Sequence, residues 1–287
     1  MGNTGHFSTF NRNSKLFTEL EHNTPNWWKM LLEDTELYTE VRKDNYINIY
    51  YYGGCIAKIS YKKDYKIETH CKYLGLDGKG YKDCHTELST KEGVERLKRN
   101  VREIYLKLTP DFVDKNTKNG ILNSSEKYMQ GLLISNNRGL YIDSEFAYNA
   151  TSELDGVRRR IDLVKVESGV VSFVELKKVN DARFTKLAED NQREIIAQLN
   201  KYKTFVEHYS DDILDFYKKM VEVKQSIGII KEVPTIESVD PNPILHIINN
   251  YDRDYKRGKA QRANRIKSIE DIVSDYQVVW TNYHDIK

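Results

Sequence analysis

Short runs of β-branched and aromatic residues dominate the first third of the chain. The segments LYTEV, NYINIYYYGG, CIAKISYKK and YKIETHCKYL follow one another between roughly residues 36 and 73, with polar or glycine-containing turns between them. This pattern predicts an antiparallel meander. In the next segment, KEGVERLKRNVREIYLKL at 91–108, apolar residues recur at helical spacing, which predicts a helix packed on that sheet.

A polar stretch then interrupts both periodicities. Pro110 and the run DKNTKNG that follows it place a domain boundary here. We therefore interpret residues 1–118 as a smaller β-rich domain for recognition or assembly, and residues 119–287 as a second domain. The tyrosines of NYINIYYYGG alternate across a strand, which favours packing on both sides of a sheet over one ligand-binding face. The pattern leaves open whether the first domain recognises DNA, a protein or a second subunit.

The second half alternates between helical and extended patterns. SSEKYMQGLLISN predicts a helix, LYIDSEFAYN a strand, and RIDLVKVESGVVSFVELKK two strands joined by a tight turn. A long helix is expected over about residues 187–208, followed by strands around SIGII, ILHII and YQVVW. The order helix, three strands, helix and strand predicts an α/β fold with a mixed sheet flanked by helices, α+β overall.

The hairpin carries the candidate chemistry. If Ser168-Gly169 forms a two-residue turn, the register places Asp162 directly across from Glu175. Opposed side chains on one face have Cβ atoms about 4.5–5.5 Å apart, and like charges so placed destabilise a sheet. Lys177 shares the face of Glu175, and the same register aligns it with Arg160 beside the acidic pair. The two carboxylates therefore require a cation.

A hard divalent cation such as Mg²⁺, for which Mn²⁺ often substitutes, relieves this repulsion. Mg²⁺ binds through one or two carboxylates, keeps several waters and also coordinates substrate phosphates. It activates water and stabilises charge on a phosphoryl oxygen, while an ammonium such as that of Lys177 orients the water or offsets charge. These are the parts of a phosphodiester hydrolysis site. The alternative is a solvated sheet face whose ion pairs contribute about 0–1 kcal/mol each.

Asp162 and the later triplet Glu175-Leu-Lys177 resemble the signature of the PD-(D/E)XK nuclease superfamily, with Ile161 in place of the proline. The resemblance covers roughly residues 121–287 and implies a restriction-endonuclease-like core, Mg²⁺ and DNA cleavage. Gln198 and Tyr202, in QLNKY, are similar to the QxxxY motif of the RecB-like branch. In that branch both side chains approach the catalytic site and the DNA, and a spacing of one helical turn puts them on one face.

The resemblance also implies an acidic metal ligand from the first helix of the core. Glu126 is the candidate, although NSSE is also a capping box in which Glu126 would bond the first amide of its own helix. Glu145 is the competing candidate, and its alternation with Asp143 equally suits an exposed strand face. The expected metal ligands are thus Asp162, Glu175 and Glu126.

Basic residues interleaved with tyrosines form the run YDRDYKRGKAQRANRIK at 251–267. Such a cluster suits phosphate contacts and base stacking, and a solvated helix face is the alternative. The candidate nucleic-acid contacts are Arg262, Arg265 and Lys267 from this run, with Lys178 and Arg183 beyond the hairpin.

Composition narrows the setting. The 45 basic and 43 acidic residues give a net charge of only +2, so any attraction to a polyanion must come from local clustering. No apolar run approaches the roughly eighteen residues of a membrane span, and the first residues lack the apolar core of a signal peptide. The 3 cysteines are odd in number and sparse, which suits a reducing compartment. We expect a cytoplasmic protein without membrane contact.

Together these features predict a metal-dependent endo- or exonuclease acting on DNA in restriction, antiviral (phage) defence or repair. Cleavage of both strands of a duplex is simplest with one site per subunit of a homodimer. Two alternatives stay open at this point. One is a non-catalytic nucleic-acid-binding module of the same fold, and the other is a nuclease directed at RNA.

Overall fold

Two sheets organise the molecule. The computed structural model describes residues 9–109, 111, 120–122, 125–149 and 158–286, and within these ranges there is a five-stranded and a six-stranded sheet. The domain boundary expected between residues 118 and 119 lies outside the described residues. In the described part of the chain, no helix has both the length and the apolar character needed to cross a membrane.

The first sheet is the expected antiparallel meander, with its strands in chain order. Alternation buries Ile47, Ile59 and Ile67 on one face. The helix expected over 91–108 is confirmed but ends at Ile104. The elements are α1 (Lys15–His22), α2 (Asn26–Glu33), β1 (Leu37–Arg42), β2 (Tyr46–Tyr51), β3 (Gly54–Tyr61), β4 (Tyr65–His70), β5 (Tyr81–Asp83), α3 (His85–Leu88) and α4 (Lys91–Ile104).

The second sheet is mixed, which confirms the α/β fold class. Its elements are α5 (Glu126–Asn136), β6 (Tyr141–Asn149), β7 (Arg158–Glu167), β8 (Val170–Lys178), α6 (Glu194–His208), α7 (Ser210–Ser226), β9 (Ser238–Val239), β10 (Ile244–Asn249), α8 (Lys259–Ile272) and β11 (Val278–Asn282). The strand order is β11-β10-β8-β7-β6, with β9 paired to β8. Strands β6, β7 and β8 are antiparallel, whereas β10 runs parallel to both β8 and β11.

Two sequence predictions in this half were wrong in detail. The long helix begins at Glu194 rather than near 187, because Leu187 bridges Arg193 around a polar loop in which Asn191 has a φ of 61°. The segment SIGII is not a strand. It contains the end of α7 and a turn, and the carbonyl of Ile227 accepts a hydrogen bond from the indole of Trp28 at 2.8 Å.

Helix α5 joins the two sheets through close backbone contact. A Cβ added to Gly131 would collide with the backbone of Tyr52, and one added to Gly53 would collide with the carbonyl of Lys127. Gly53 also has a φ of 87°, which disfavours any side chain there. One cluster of buried apolar side chains contains Val101 from the first half together with residues of the second half. Helix α5 is therefore seated directly on the turn between β2 and β3.

Gly131→Ala tests this contact. Alanine in a helix interior normally stabilises by about 1 kcal/mol relative to glycine. Here the collision with Tyr52 reverses the sign, and we expect a loss of about 1–3 kcal/mol in the free energy of unfolding, measured by denaturant titration. Gly75→Ala is the control, because its Cβ would meet no atom within 4 Å and only its φ of 73° opposes the change. A Gly131→Ala protein as stable as the wild type would contradict the close contact.

Candidate active site

The hairpin of β7 and β8 forms with the predicted turn. Ser168 and Gly169 have φ values of 50° and 81°, as a type I′ turn requires. The register follows the prediction from this turn as far as the pair Leu163 and Val174. This part of the interpretation is confirmed.

Beyond that pair, β8 finds its partners in β10, where Leu245 lies opposite Glu175. Asp162 does not continue the ladder as a direct partner of Glu175. Its Oδ2 instead accepts a hydrogen bond from the amide of Leu176 at 3.0 Å, and its carbonyl accepts one from Gln130 at 2.6 Å. The prediction that Asp162 lies directly across from Glu175 is therefore corrected. The Asp162 carboxylate, rather than a backbone carbonyl, accepts the hydrogen bond of the Leu176 amide.

Lys177 supplies the cation for both carboxylates. Its ammonium donates to Glu175 Oε1 and lies 3.7 Å from Asp162 Oδ2. It also donates to the carbonyl of Leu176 at 2.8 Å. Arg160, which was expected beside Lys177, directs its guanidinium to Glu145 at 2.9 Å instead. One buried lysine of the hairpin therefore contacts both carboxylates and offsets one of their two negative charges.

Burial sets the electrostatics of this group. Glu175 is 2% exposed, and its Oε2 has no hydrogen-bond partner among the described residues. Burial, reinforced by the charge of Asp162, raises the pKa of Glu175 to about 8, although Lys177 opposes the shift. For Lys177, burial acts to lower the pKa, but the charges of Glu175 and Asp162 outweigh it and raise the pKa. The site thus favours a neutral Glu175 when no added cation is present.

The glutamine and tyrosine of QLNKY both reach the site from α6. Gln198 donates to Glu175 Oε1 at 2.7 Å and to the hydroxyl of Tyr202 at 2.6 Å. The Tyr202 hydroxyl donates in turn to the carbonyl of Arg160 at 2.7 Å. One residue orients the carboxylate, and the other fixes the strand that carries Asp162.

Glu126 lies at the start of α5. The N-cap is Ser125, whose hydroxyl accepts from the amide of Tyr128 at 3.3 Å, so Glu126 does not occupy the third position that the capping box requires. Asn123, its expected partner, lies outside the described residues. Burial raises the pKa of Glu126, which Lys177 opposes and Asp162 reinforces. The Glu126 carboxyl is therefore close enough to feel both charges of the hairpin site.

Lys127 is a site residue that the sequence interpretation missed. Its ammonium donates to Glu145 and lies 3.8 Å from Asp162 Oδ1. Arg160 binds the other oxygen of Glu145, so two cations hold this carboxylate. Lys127 also donates to Gln130, three positions along the same helix, at 3.1 Å. No pattern in the sequence pairs Lys127 with Glu145, because that contact depends on tertiary packing. Of the two competing acidic candidates, Glu145 is thus the one already paired.

The basic run forms α8 and the loop before it. Arg265 donates to the carbonyls of Val179 at 3.1 Å and Asp181 at 2.6 Å, and its guanidinium lies over the ring of Phe184. Arg262 likewise donates to backbone carbonyls of the preceding loop. Both guanidinium groups therefore bind carbonyls of the protein's own backbone. Any contact with a phosphate would have to be made in addition to these hydrogen bonds.

The other candidate phosphate contacts differ in their surroundings. Lys267 is exposed on α8. The guanidinium of Arg183 lies 3.7 Å from Asp181 and is 44% exposed. Burial lowers the pKa of Lys178, while Glu126 and Asp181 oppose the shift. Lys178 is thus the one of the three whose charge interacts with Glu126.

Two buried carboxylates, those of Asp162 and Glu175, are the residues that would hold a hard divalent cation. In the described ranges, no group of three or more histidine, cysteine or acidic side chains is arranged to hold a metal ion. Mg²⁺ needs only one or two carboxylates, because water and substrate phosphates complete its coordination. Asp162 and Glu175 would hold the ion, with Glu126 adjacent. Oε2 of Glu175 is the oxygen that would bind it, because this atom has no hydrogen-bond partner among the described residues.

Comparison of the chain with known proteins identified no relative. No protein-family model, curated protein or solved structure matches the chain. The chemical assignment of the site therefore depends on its own contacts.

The raised pKa of Glu175 gives a pH dependence of stability. In the folded state its pKa is about 8, above the ordinary value of 4.5, so the folded state binds more protons between these values. The stabilisation is complete below about pH 4.5 and is lost as the pH rises towards about 8. In metal-free buffer, Glu175→Gln should therefore gain stability relative to the wild type as the pH increases.

The measurement is the difference in melting temperature between the two proteins from pH 5 to pH 9. Asp143→Asn provides a comparison, because burial raises the pKa of Asp143 to about 7 in a different cluster, beside Arg42. A difference between wild type and Glu175→Gln that stays constant over this range would show that Glu175 titrates as an ordinary carboxyl.

Proposed function

We propose that this protein is a Mg²⁺-dependent nuclease that hydrolyses phosphodiester bonds in DNA. The observation that carries the proposal is a buried glutamate with one oxygen held by two donors and the other unpartnered. Lys177 and Gln198 both donate to Oε1 of Glu175, whereas Oε2 has no partner among the described residues. Burying such an oxygen without a donor costs roughly 1–3 kcal/mol, which a bound cation offsets.

The chain's own residues organise the rest of the site. The Leu176 amide and Gln130 fix Asp162, and Gln198 fixes Glu175, so neither carboxylate has to reorient to receive a ligand. When bound, Mg²⁺ supplies a Lewis acid and lowers the pKa of water. Preorganised charges of this kind act most strongly in a buried, low-dielectric site.

Lys177 has the role of a charge-stabilising residue. Its ammonium is buried at the junction of the two carboxylates, with Asp162 Oδ2 at 3.7 Å. From this position it orients a water molecule or offsets negative charge on the phosphoryl group. Lys127 places a second ammonium on the opposite oxygen of Asp162, at 3.8 Å.

The resemblance to PD-(D/E)XK nucleases supports DNA as substrate and restriction, phage defence or repair as the setting. Helix α5, strands β6 to β8, helix α6 and strand β10 follow the order of that family's pattern, with α7 and β9 inserted before β10. The contacts of Gln198 and Tyr202 with the site also support the resemblance. A cytoplasmic location and a homodimer belong to the same proposal. The dimer would provide one site for each strand of a duplex.

Cleavage of a panel of linear, circular and single-stranded DNA and of RNA, with Mg²⁺, Mn²⁺ or EDTA, tests the proposal. We expect metal-dependent cleavage of DNA. Asp162→Asn and Glu175→Gln should lower the rate by more than about 100-fold, and Lys177→Met by about 100-fold. Glu167→Gln, an exposed carboxylate on the same hairpin, is the matched control and should cleave normally. Cleavage that survives both carboxylate substitutions would refute the site, and cleavage of RNA alone would redirect it to RNA.

Metal affinity should also depend on pH. A ligand carboxyl must lose its proton, so binding of Mn²⁺ releases a proton from Glu175 and tightens as the pH rises towards about 8. Calorimetric titration in two buffers of different ionisation enthalpy measures that proton. Lys177→Met should still bind Mn²⁺, and Glu167→Gln should match the wild type. Unchanged Mn²⁺ binding by both Asp162→Asn and Glu175→Gln would refute a metal site at these two carboxylates.

A further inference from the structure

A cleft of about 770 Å³ lies over the open face of the first sheet and extends to the candidate active site. It is lined at one end by strands of that sheet and at the other by residues that contact the acidic cluster. Among its lining residues are Lys58, Lys72, Tyr81, Tyr105, Lys127 and Arg160.

Strand register explains the polar face. Asn48 pairs with Lys58, and Lys58 pairs with Glu68, so these side chains form a row across three strands. Their neighbours Ile59 and Ile67 point to the opposite face and are fully buried. The alternation therefore leaves one broad face of long polar side chains toward the cleft.

Exposed aromatic rings line the same cleft. Tyr81 is 63% exposed and Tyr105 is 46% exposed, although tyrosine rings bury large areas when they serve a core. The ring of His70 lies 6.0 Å from that of Tyr81 and 5.7 Å from that of Tyr73. Tyr81 is thus the exposed member of a cluster of rings with His70 and Tyr73.

The charge of the cleft favours a polyanion. Among the described residues, Lys58, Lys72, Lys127 and Arg160 line the cleft with only two carboxylates, Glu68 and Glu145. Lys127 and Arg160 both bind Glu145, so this group of three keeps one net positive charge. The ammonium of Lys58 lies 4.1 Å from the ring centroid of Tyr46. Cations interleaved with aromatic rings are the combination that binds a phosphate backbone and its unpaired bases together.

We propose that this cleft binds single-stranded DNA and leads it to the carboxylate site, an inference that rests on the proposed function. Duplex DNA keeps its base faces inside the stack, so only unpaired bases can stack on Tyr81 and Tyr105. Lys127 lines the cleft and lies 3.8 Å from Asp162. Lys127 is thus shared by the cleft and the acidic cluster, and a strand held by the sheet ends beside it. The first half of the chain is thus the substrate-binding part.

Fluorescence anisotropy with a labelled single-stranded oligodeoxynucleotide in EDTA tests the cleft without cleavage. Tyr81→Ala and Tyr105→Ala should each weaken binding about tenfold, whereas Tyr81→Phe keeps the ring and should bind like the wild type. Replacing Lys58 and Lys72 with alanine should also reduce the salt slope by about 0.7 for each phosphate that is no longer neutralised.

Lys62→Ala with Lys63→Ala is the matched control, because these exposed lysines lie in the turn between β3 and β4, away from the cleft lining. It should leave affinity and salt slope unchanged. Thermal melts should show that every variant is folded, as expected for exposed side chains. A blunt duplex of the same sequence and an RNA of the same length should bind more weakly.

Wild-type affinity for the oligonucleotide in both tyrosine-to-alanine variants would overturn the proposal that the cleft binds DNA. An equal loss of affinity in the Lys62 and Lys63 control would do the same. Tighter binding of duplex or of RNA would overturn the assignment to single-stranded DNA. Because binding is measured in EDTA with Asp162 and Glu175 intact, the outcome is separable from catalysis. Ring-dependent DNA binding without any cleavage would retain the cleft and refute the nuclease, whereas cleavage without ring dependence would do the reverse.

Discussion

The burial of Glu175 beside Lys177 is the constraint on which the site depends. A carboxylate and an ammonium removed from water lose hydration that their mutual attraction only partly replaces, so each needs further partners. Gln198 and the carbonyl of Leu176 provide these contacts. Truncating one partner would leave the others buried and unpaired. The strands and helices that bring these groups together are therefore held to one arrangement.

The change of partner along β8 gives the site its shape. Near the turn, β8 pairs with β7 on one side, and further along the strand its register with β10 passes through Glu175. At that point Asp162 replaces a backbone acceptor with its own side chain and so remains attached to the amide of Leu176. A carboxylate used in this way is fixed as firmly as the sheet itself. The sheet, rather than a loop, positions the chemistry.

Local patterns in the sequence were sufficient where the interacting residues are near neighbours. The turn at Ser168-Gly169 determined the hairpin register, and helical spacing put Gln198 and Tyr202 on one face. The strand predicted at SIGII was wrong because a short apolar run does not distinguish a strand from a buried helix end. The sequence also did not predict the pairing of Lys127 with Glu145, because this contact depends on how α5 packs across β6. The cleft over the first sheet follows from tertiary packing alone.

The contact of Gly131 with the turn at Tyr52 and Gly53 has a thermodynamic consequence. Helix α5 carries Glu126 and Lys127 into the carboxylate site, and backbone contact without intervening side chains leaves no compressible layer between that helix and the first sheet. A ligand that shifts the turn must therefore shift these charges as well. By reciprocity, if such a ligand changes the proton affinity of the site, protonation of the site changes the affinity for the ligand by the same free energy. The close backbone contact is thus the place where a change in one half of the molecule would be transmitted to the other.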